Sequence, residues 1–260
     1  METNTWSDKV KTLVKHLQFY WFCGHVFLVC NSIFYFMSVL SFHSVSNYYC
    51  RAYAGALIAY GIVAYNSYMA KMRTKQLLLS ENIQYLILAF YWYCVPPITV
   101  TLIPFFVFSI FHILGYVQSV LLPTLFPKEA NPAMNDWCAY LKAQTEKYHE
   151  LAMQIAGYTE VMLISPRLIL GVLTFQTSLL ALIVFGQFLR SRYFDSPYTQ
   201  LAFRQSVNFL DHFLLPENHN PHIPTRVSNG YGQLRTYSER IFTLPTPPAK
   251  PSTTSADKTD

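Results

Sequence analysis

The chain has 260 residues, of which 52% are hydrophobic, 17% aromatic and only 13% charged, with a net charge of +5. A soluble domain carries about 25% charged residues, so the chain lacks the polar surface that a water-soluble fold of this size needs. No dense Lys/Arg block accompanies the positive balance, which excludes a nucleic-acid binder. The charges gather in short blocks between uncharged stretches, the pattern of a multi-span helical membrane protein. Five cysteines (Cys23, Cys30, Cys50, Cys94, Cys138) show no metal-ligand spacing and an odd count, and they read as small buried hydrophobes.

Residues 1–16 are polar and cytosolic in this reading, with Lys9, Lys11 and Lys15 leading into an uncharged run at 17–42. That run is long enough to cross a hydrocarbon core of roughly 30 Å. Lacking a small-residue cleavage site, it reads as a retained span rather than a signal peptide. A second uncharged run, 52–70, repeats small residues at helical spacing (Ala52, Gly55, Ala56, Ala59). These allow close backbone approach, either within the chain or between two copies.

The longest uncharged run, 82–127, is interrupted by Pro96, Pro97 and Pro104. Proline removes a backbone donor and clashes with the preceding turn, so the run is either a hairpin or one kinked span. Residues 128–150 are polar and helical after Pro132. The stretch 151–189 is one span or a hairpin with its tip near Pro166, and it carries Glu160 in an apolar setting. There Glu160 reads as a helix cap or an interhelical hydrogen-bond partner.

Basic residues mark cytosolic ends. Lys9/Lys11/Lys15, Lys71/Arg73/Lys75 and Arg190/Arg192 all fall on one side only if the crossings before residue 190 are even in number, four or six. Both termini are then cytosolic. Within 190–244, the segment 197–214 places Phe203, Val207, Leu210 and Leu214 on one stripe, with Gln200, Arg204, Asn208 and Asp211 opposite. This is the pattern of an interface-lying amphipathic helix, or of one packed on the chain's own spans. A weaker candidate at 233–242 groups Leu234, Tyr237 and Ile241, and the Pro/Thr-rich 245–260 is a disordered tail by composition.

No phosphate-binding loop, dinucleotide fingerprint, nucleophile elbow or zinc-protease helix occurs in the sequence. His25 and His112 lie inside apolar runs without a carboxylate in the same run, so His112 reads as a neutral, hydrogen-bonded structural residue. His219 and His222 lack companions for a metal site. No cofactor, metal, catalytic set or small-molecule substrate is expected. Few polar groups lie at midplane depth, which argues against a transporter. A channel or transporter, and behind it a lipid-modifying enzyme, stand as alternatives; the first requires a hydrated cavity holding Glu160 and His112 together.

The run 82–127 carries Tyr85-Leu86, Pro97, Thr99, Pro104, Phe108-Ser109, His112 and Tyr116 in order. Thr159-Glu160 precedes Pro166, and Phe188-Leu189, Arg192-Tyr193 and Pro197-Tyr198 precede the amphipathic segment. This ordered set resembles the transmembrane protein 33 family, also called the Krüppel homologue 2 or pore-membrane and perinuclear 33 kDa family. The resemblance covers about residues 15–215. It implies an all-α polytopic protein of the endoplasmic reticulum membrane and nuclear envelope, without enzymatic activity. It also implies association with reticulon-type tubule-shaping proteins or nuclear pore membrane proteins. Fungal-type members also bind curved membrane and an importin through the C-terminal region; the tail here carries few basic residues for an importin. Membrane lipids are the remaining expected partner. An amphipathic helix inserted about 5–10 Å into the headgroup boundary, and broken apolar stretches that do not fully cross, would both favour curvature toward the cytosolic side.

Overall fold

The computed structural model describes residues 6–42, 45–71, 73, 76–77, 80–126, 132–214 and 225–242. The tail 245–260, His219 and His222 lie outside the described residues. Among the described residues all regular structure is helical: α1 (Trp6–Lys15), α2 (Leu17–Leu40), α3 (Ser46–Met69), α4 (Glu81–Cys94), α5 (Leu102–Tyr116), α6 (Leu122–Leu125), α7 (Pro132–Tyr158), α8 (Ser165–Leu173), α9 (Leu179–Asp195), α10 (Pro197–Leu214) and α11 (Thr225–Phe242). A 3₁₀ turn at Thr99–Thr101 leads into α5, and π turns at Val117–Leu121 and Thr159–Ile164 join α5 to α6 and α7 to α8. Among the described residues three continuous helical stretches are long and apolar enough to cross a bilayer: Leu17–Leu40, Thr99–Leu125 and Met134–Leu173, with hydropathies of 1.7, 2.0 and 1.3. By contrast α4, with 14 residues, is only about 21 Å long at 1.5 Å per residue, short of a full hydrocarbon core.

The prolines act differently according to what precedes them. At Val95–Ile98 the paired Pro96 and Pro97 end α4 outright, and the chain reverses into the 3₁₀ turn. Pro104 sits in the first turn of α5, where a missing N–H costs nothing. Pro166 does not form the tip of a hairpin, one of the two alternatives left open by the sequence. The helix runs through it and reverses only at Thr174–Ser178. The reason is the π turn immediately before it, whose wider ring moves the carbonyl that a proline would otherwise strike. Ser165 adds a bond, its Oγ donating to the carbonyl of Glu160 at 3.0 Å. Pro123 follows the other π turn in the same way.

The chain divides into two compact units, residues 1–204 and 205–260. The first has a single aromatic-rich core that includes Tyr35, Tyr49, Tyr53, Tyr85, Trp92 and Phe105. Here α2 and α3 form the tightest pair. Gly24 and Gly55 face one another, and Ala52, Ala56 and Ala59 are completely buried, so the small-residue stripe serves packing within the chain. A Cβ on Gly55 would lie 2.7 Å from the carbonyl oxygen of Gly24. The second unit is a helical pair, the end of α10 with α11. Tyr231 Oη donates to Asp211 Oδ1 at 2.7 Å, Arg235 pairs with Asp211 at 3.1 Å, and Ser228 Oγ donates to the carbonyl of Leu214. Burial, then the hydrogen bond to the Asp211 carboxylate and its charge, push the Tyr231 hydroxyl up to about 12.

Candidate functional site

Three buried polar groups hold the first unit together, and several of the sequence-singled residues belong to one of them. In the largest, α4, the second π turn and α9 meet. Tyr85 Oη donates to Glu160 Oε1 at 2.6 Å, Arg192 Nε lies 3.7 Å from Glu160 Oε2, and Arg192 Nη1 donates to Glu81 Oε1 at 2.5 Å. The guanidinium also lies over the rings of Tyr85 and Phe108, at 5.6 and 5.8 Å. Glu160 is 1% exposed and Arg192 5%. Arg192 is therefore not the solvated flanking charge that its place in the sequence suggests. Two carboxylates and two aromatic faces replace its water, which is what permits an arginine to be buried.

A second group joins α2 to α5. His25 Nδ1 and Ser109 Oγ share a buried hydrogen bond at 2.9 Å. His112 packs at a tilt against His25 and edge-on against Trp21, with centroids 4.7 and 5.2 Å apart, while Tyr116 stacks on Phe22. The hydrogen-bonded histidine of this pair is thus His25. The third group sits at the opposite end of the core from Glu81. Thr101 donates to the carbonyl of Ile98, so its oxygen accepts from both Tyr49 and Tyr53 at 2.9 Å, and Thr99 bonds Tyr35 at 3.1 Å. Sequence inspection missed Thr101, Tyr49, Tyr53 and Glu81, since only the fold brings them together.

The remaining residues mark chain geometry. Pro97 is exposed at the α4–α5 turn and Pro104 is buried. Tyr193 meets the edge of Phe203 at 5.4 Å, and its carbonyl accepts from Gln200 Nε2 at 2.8 Å. Pro197 opens α10. The first turns of that helix are packed: Thr199 and Ala202 are fully buried, and a Cβ on Gly157 would touch the Tyr198 backbone at 3.2 Å. The stripe read from sequence is thus not one membrane-facing surface. Phe203 packs on Tyr193, and Val207 and Leu214 are half-buried. The outward apolar side of α10 is formed by Phe209, Leu210 and Phe213, at 60, 40 and 45% exposure. On α11 Val227, Leu234 and Tyr237 are similarly exposed.

A cavity of about 390 Å³ opens between α4 and α9, lined by Gln84, Ile87, Ile183 and Gln187 among others, but not by Glu160 or His112. No group of His, Cys, Asp and Glu among the described residues could hold a metal ion.

The profile of the transmembrane protein 33/nucleoporin POM33 family matches residues 2–242. The chain belongs to this family. It is similar to the pore membrane protein of 33 kDa of Saccharomyces cerevisiae (31% identical, covering 88% of this chain and 84% of that one). It resembles tetra-spanning protein 1 of Schizosaccharomyces pombe at 28% identity over 97% and 94% of the two chains. Nucleoporin POM33 of Chaetomium thermophilum is 32% identical over 76% and 77%. No solved structure matches. The family covers all three buried groups and both amphipathic helices, so the helical membrane bundle and its C-terminal pair belong to one family unit.

Proposed function

We propose that this family member is a non-enzymatic membrane-shaping scaffold of the endoplasmic reticulum and nuclear envelope, acting in nuclear pore assembly or distribution. It would be multi-pass with both termini cytosolic, and its partners would be membrane lipids with reticulon-type or nuclear pore membrane proteins. The names of its relatives, a pore membrane protein and a nucleoporin, support the location.

One observation carries the curvature part. In the pair α10–α11 the charged groups Asp211 and Arg235 bond inward, while Phe209, Leu210 and Phe213 stay exposed. An aromatic face of this kind, continuing from a membrane bundle, favours insertion at the headgroup boundary and adds area to one leaflet. The buried ionisable groups support a scaffold over a conduit, because Glu160, Arg192 and His25 are each engaged within the core.

The test uses the whole protein, fluorescently labelled and reconstituted in giant vesicles from which narrow tubes are pulled. Wild type should concentrate in the tube relative to the flat membrane. Phe209→Glu with Phe213→Glu should abolish the enrichment while leaving the protein in the bilayer. Equal tube and vesicle densities for the wild type would remove the curvature claim.

A further inference from the structure

At the end of the bundle opposite Glu81 and Arg192, the turn after α4 and the turn between α8 and α9 enclose a cavity of about 220 Å³. Its walls include Trp92, Pro97, Arg167, Gln176, Thr177 and Ser178, and no Asp or Glu lines it. Trp92 is completely buried, yet its indole Nε1–H finds no acceptor among the described residues. Burying such a donor without a partner is unfavourable, so an acceptor at this place would recover free energy. Arg167 makes no ion pair among the described residues. The cavity also meets the first turn of α9, where the Leu180 N–H donates to Ser178 Oγ and Ala181 lines the wall. The N-terminus of this 17-residue helix presents the positive end of its dipole.

The backbone is shaped to bring these groups together. Gly171 accepts from the amides of both Gln176 and Thr177, at 2.8 and 2.9 Å, and Phe175 takes the left-handed conformation (φ 58°) that lets the turn close. A Cβ at Gly171 would collide with Thr177 Oγ1 and Arg167 Nη1; the bare α-carbon is what lets the guanidinium lie beside the hydroxyl.

A cation, a desolvated N–H donor and a helix N-terminus without any acid specify an anion. The surroundings specify its source. Around the cavity Leu170, Leu173, Leu179 and Leu180 are more than half exposed and Phe175 almost entirely so, surface suited to acyl chains rather than water. An arginine beside such surface needs a counter-charge, and a bilayer supplies phosphate at that boundary. We propose that this cavity binds the phosphodiester of a membrane glycerophospholipid, with Arg167 on the phosphate oxygens, Trp92 donating to one of them, and the acyl chains along α8 and α9.

The test is a titration of the full-length protein in mild detergent with dioleoyl phosphatidylglycerol, read by native mass spectrometry and by thermal midpoint. Dioleoylglycerol (no phosphate) and inorganic phosphate (no acyl chains) are parallel arms. The phospholipid should bind and raise the midpoint, and neither parallel arm should. Arg167→Gln and Trp92→Phe should each weaken binding roughly tenfold or more. Arg51→Gln, an exposed arginine on α3, should leave it unchanged. Because Arg167 is exposed, its variant reports on binding even if Trp92→Phe misfolds. Undiminished binding by Arg167→Gln would overturn the site. Equal stabilisation by dioleoylglycerol would reduce it to an apolar groove, and equal stabilisation by inorganic phosphate would reassign it to a soluble anion; both would overturn the proposal.

Discussion

Arg192 lies against Glu160 with 3.7 Å between Nε and Oε2, both side chains almost wholly buried, and Glu81 is the partner that reaches solvent, at half exposure. The three groups are not equivalent. Removing the arginine strands Glu160 in the core, whereas removing Glu81 leaves the inner pair in place.

Breaking a buried pair from one side costs about 3–5 kcal/mol. Arg192→Met should therefore lower the thermal midpoint in detergent sharply. Glu81→Gln should cost about 1 kcal/mol or less, as expected for a partly exposed partner. Adding Glu160→Gln to Arg192→Met should restore part of the loss, because the amide oxygen can still accept from Tyr85. Size-exclusion of heated, solubilised samples checks the ranking. An Arg192→Met protein as stable as wild type would refute it.

The contact of α2 with α3 gives a sharper comparison. Gly55→Ala places a methyl 2.7 Å from the Gly24 carbonyl, both on backbones that cannot give way singly. Overpacking of this kind costs about 1–3 kcal/mol. Gly61, one helical stretch later, has nothing within 4 Å of the same position, so Gly61→Ala should be neutral or gain up to about 1 kcal/mol of helix propensity. Matched destabilisation of both variants would show that the pair is held by something other than backbone approach.

These two sites also show what was legible in the sequence. The uncharged runs, an interruption at Pro96–Pro97 and the small-residue stripe on α3 follow from local composition, whereas the choice between a kink and a reversal at those prolines does not. Whether Pro166 breaks its helix depends on a π turn that no residue pattern announces. Arg192 looks like any cytosolic flanking charge until Glu81, 111 residues away, is folded against it. His25 and Ser109 are separated by 84 residues in the same manner. On α10 helical periodicity reports that a face is apolar, not that Tyr193 covers Phe203 while Leu210 stays exposed.

The Thr101 hydroxyl offers an isosteric test. Its one proton goes to the Ile98 carbonyl, and its oxygen receives both Tyr49 and Tyr53. Thr101→Val keeps the volume and removes the oxygen on which both buried phenols converge, at about 1–3 kcal/mol for a stranded group. Thr101→Ser should restore most of the stability. If valine is tolerated as well as serine, the hydroxyl is not what anchors the turn after α4.

Phe175 is 97% exposed and holds a left-handed backbone, a conformation that costs a non-glycine residue of order 1 kcal/mol or more. Its amide donates to the Val172 carbonyl, closing the end of α8 where glycine is the usual residue. In detergent Phe175→Gly should therefore raise the thermal midpoint. In a bilayer the same change removes an apolar side chain that projects from the turn, so an environment-sensitive label on Thr174 should report a wetter site in the glycine variant. A higher midpoint with no change in label polarity would mean that the aromatic ring does not reach lipid. A lower midpoint would mean that the ring makes contacts that outweigh its backbone strain.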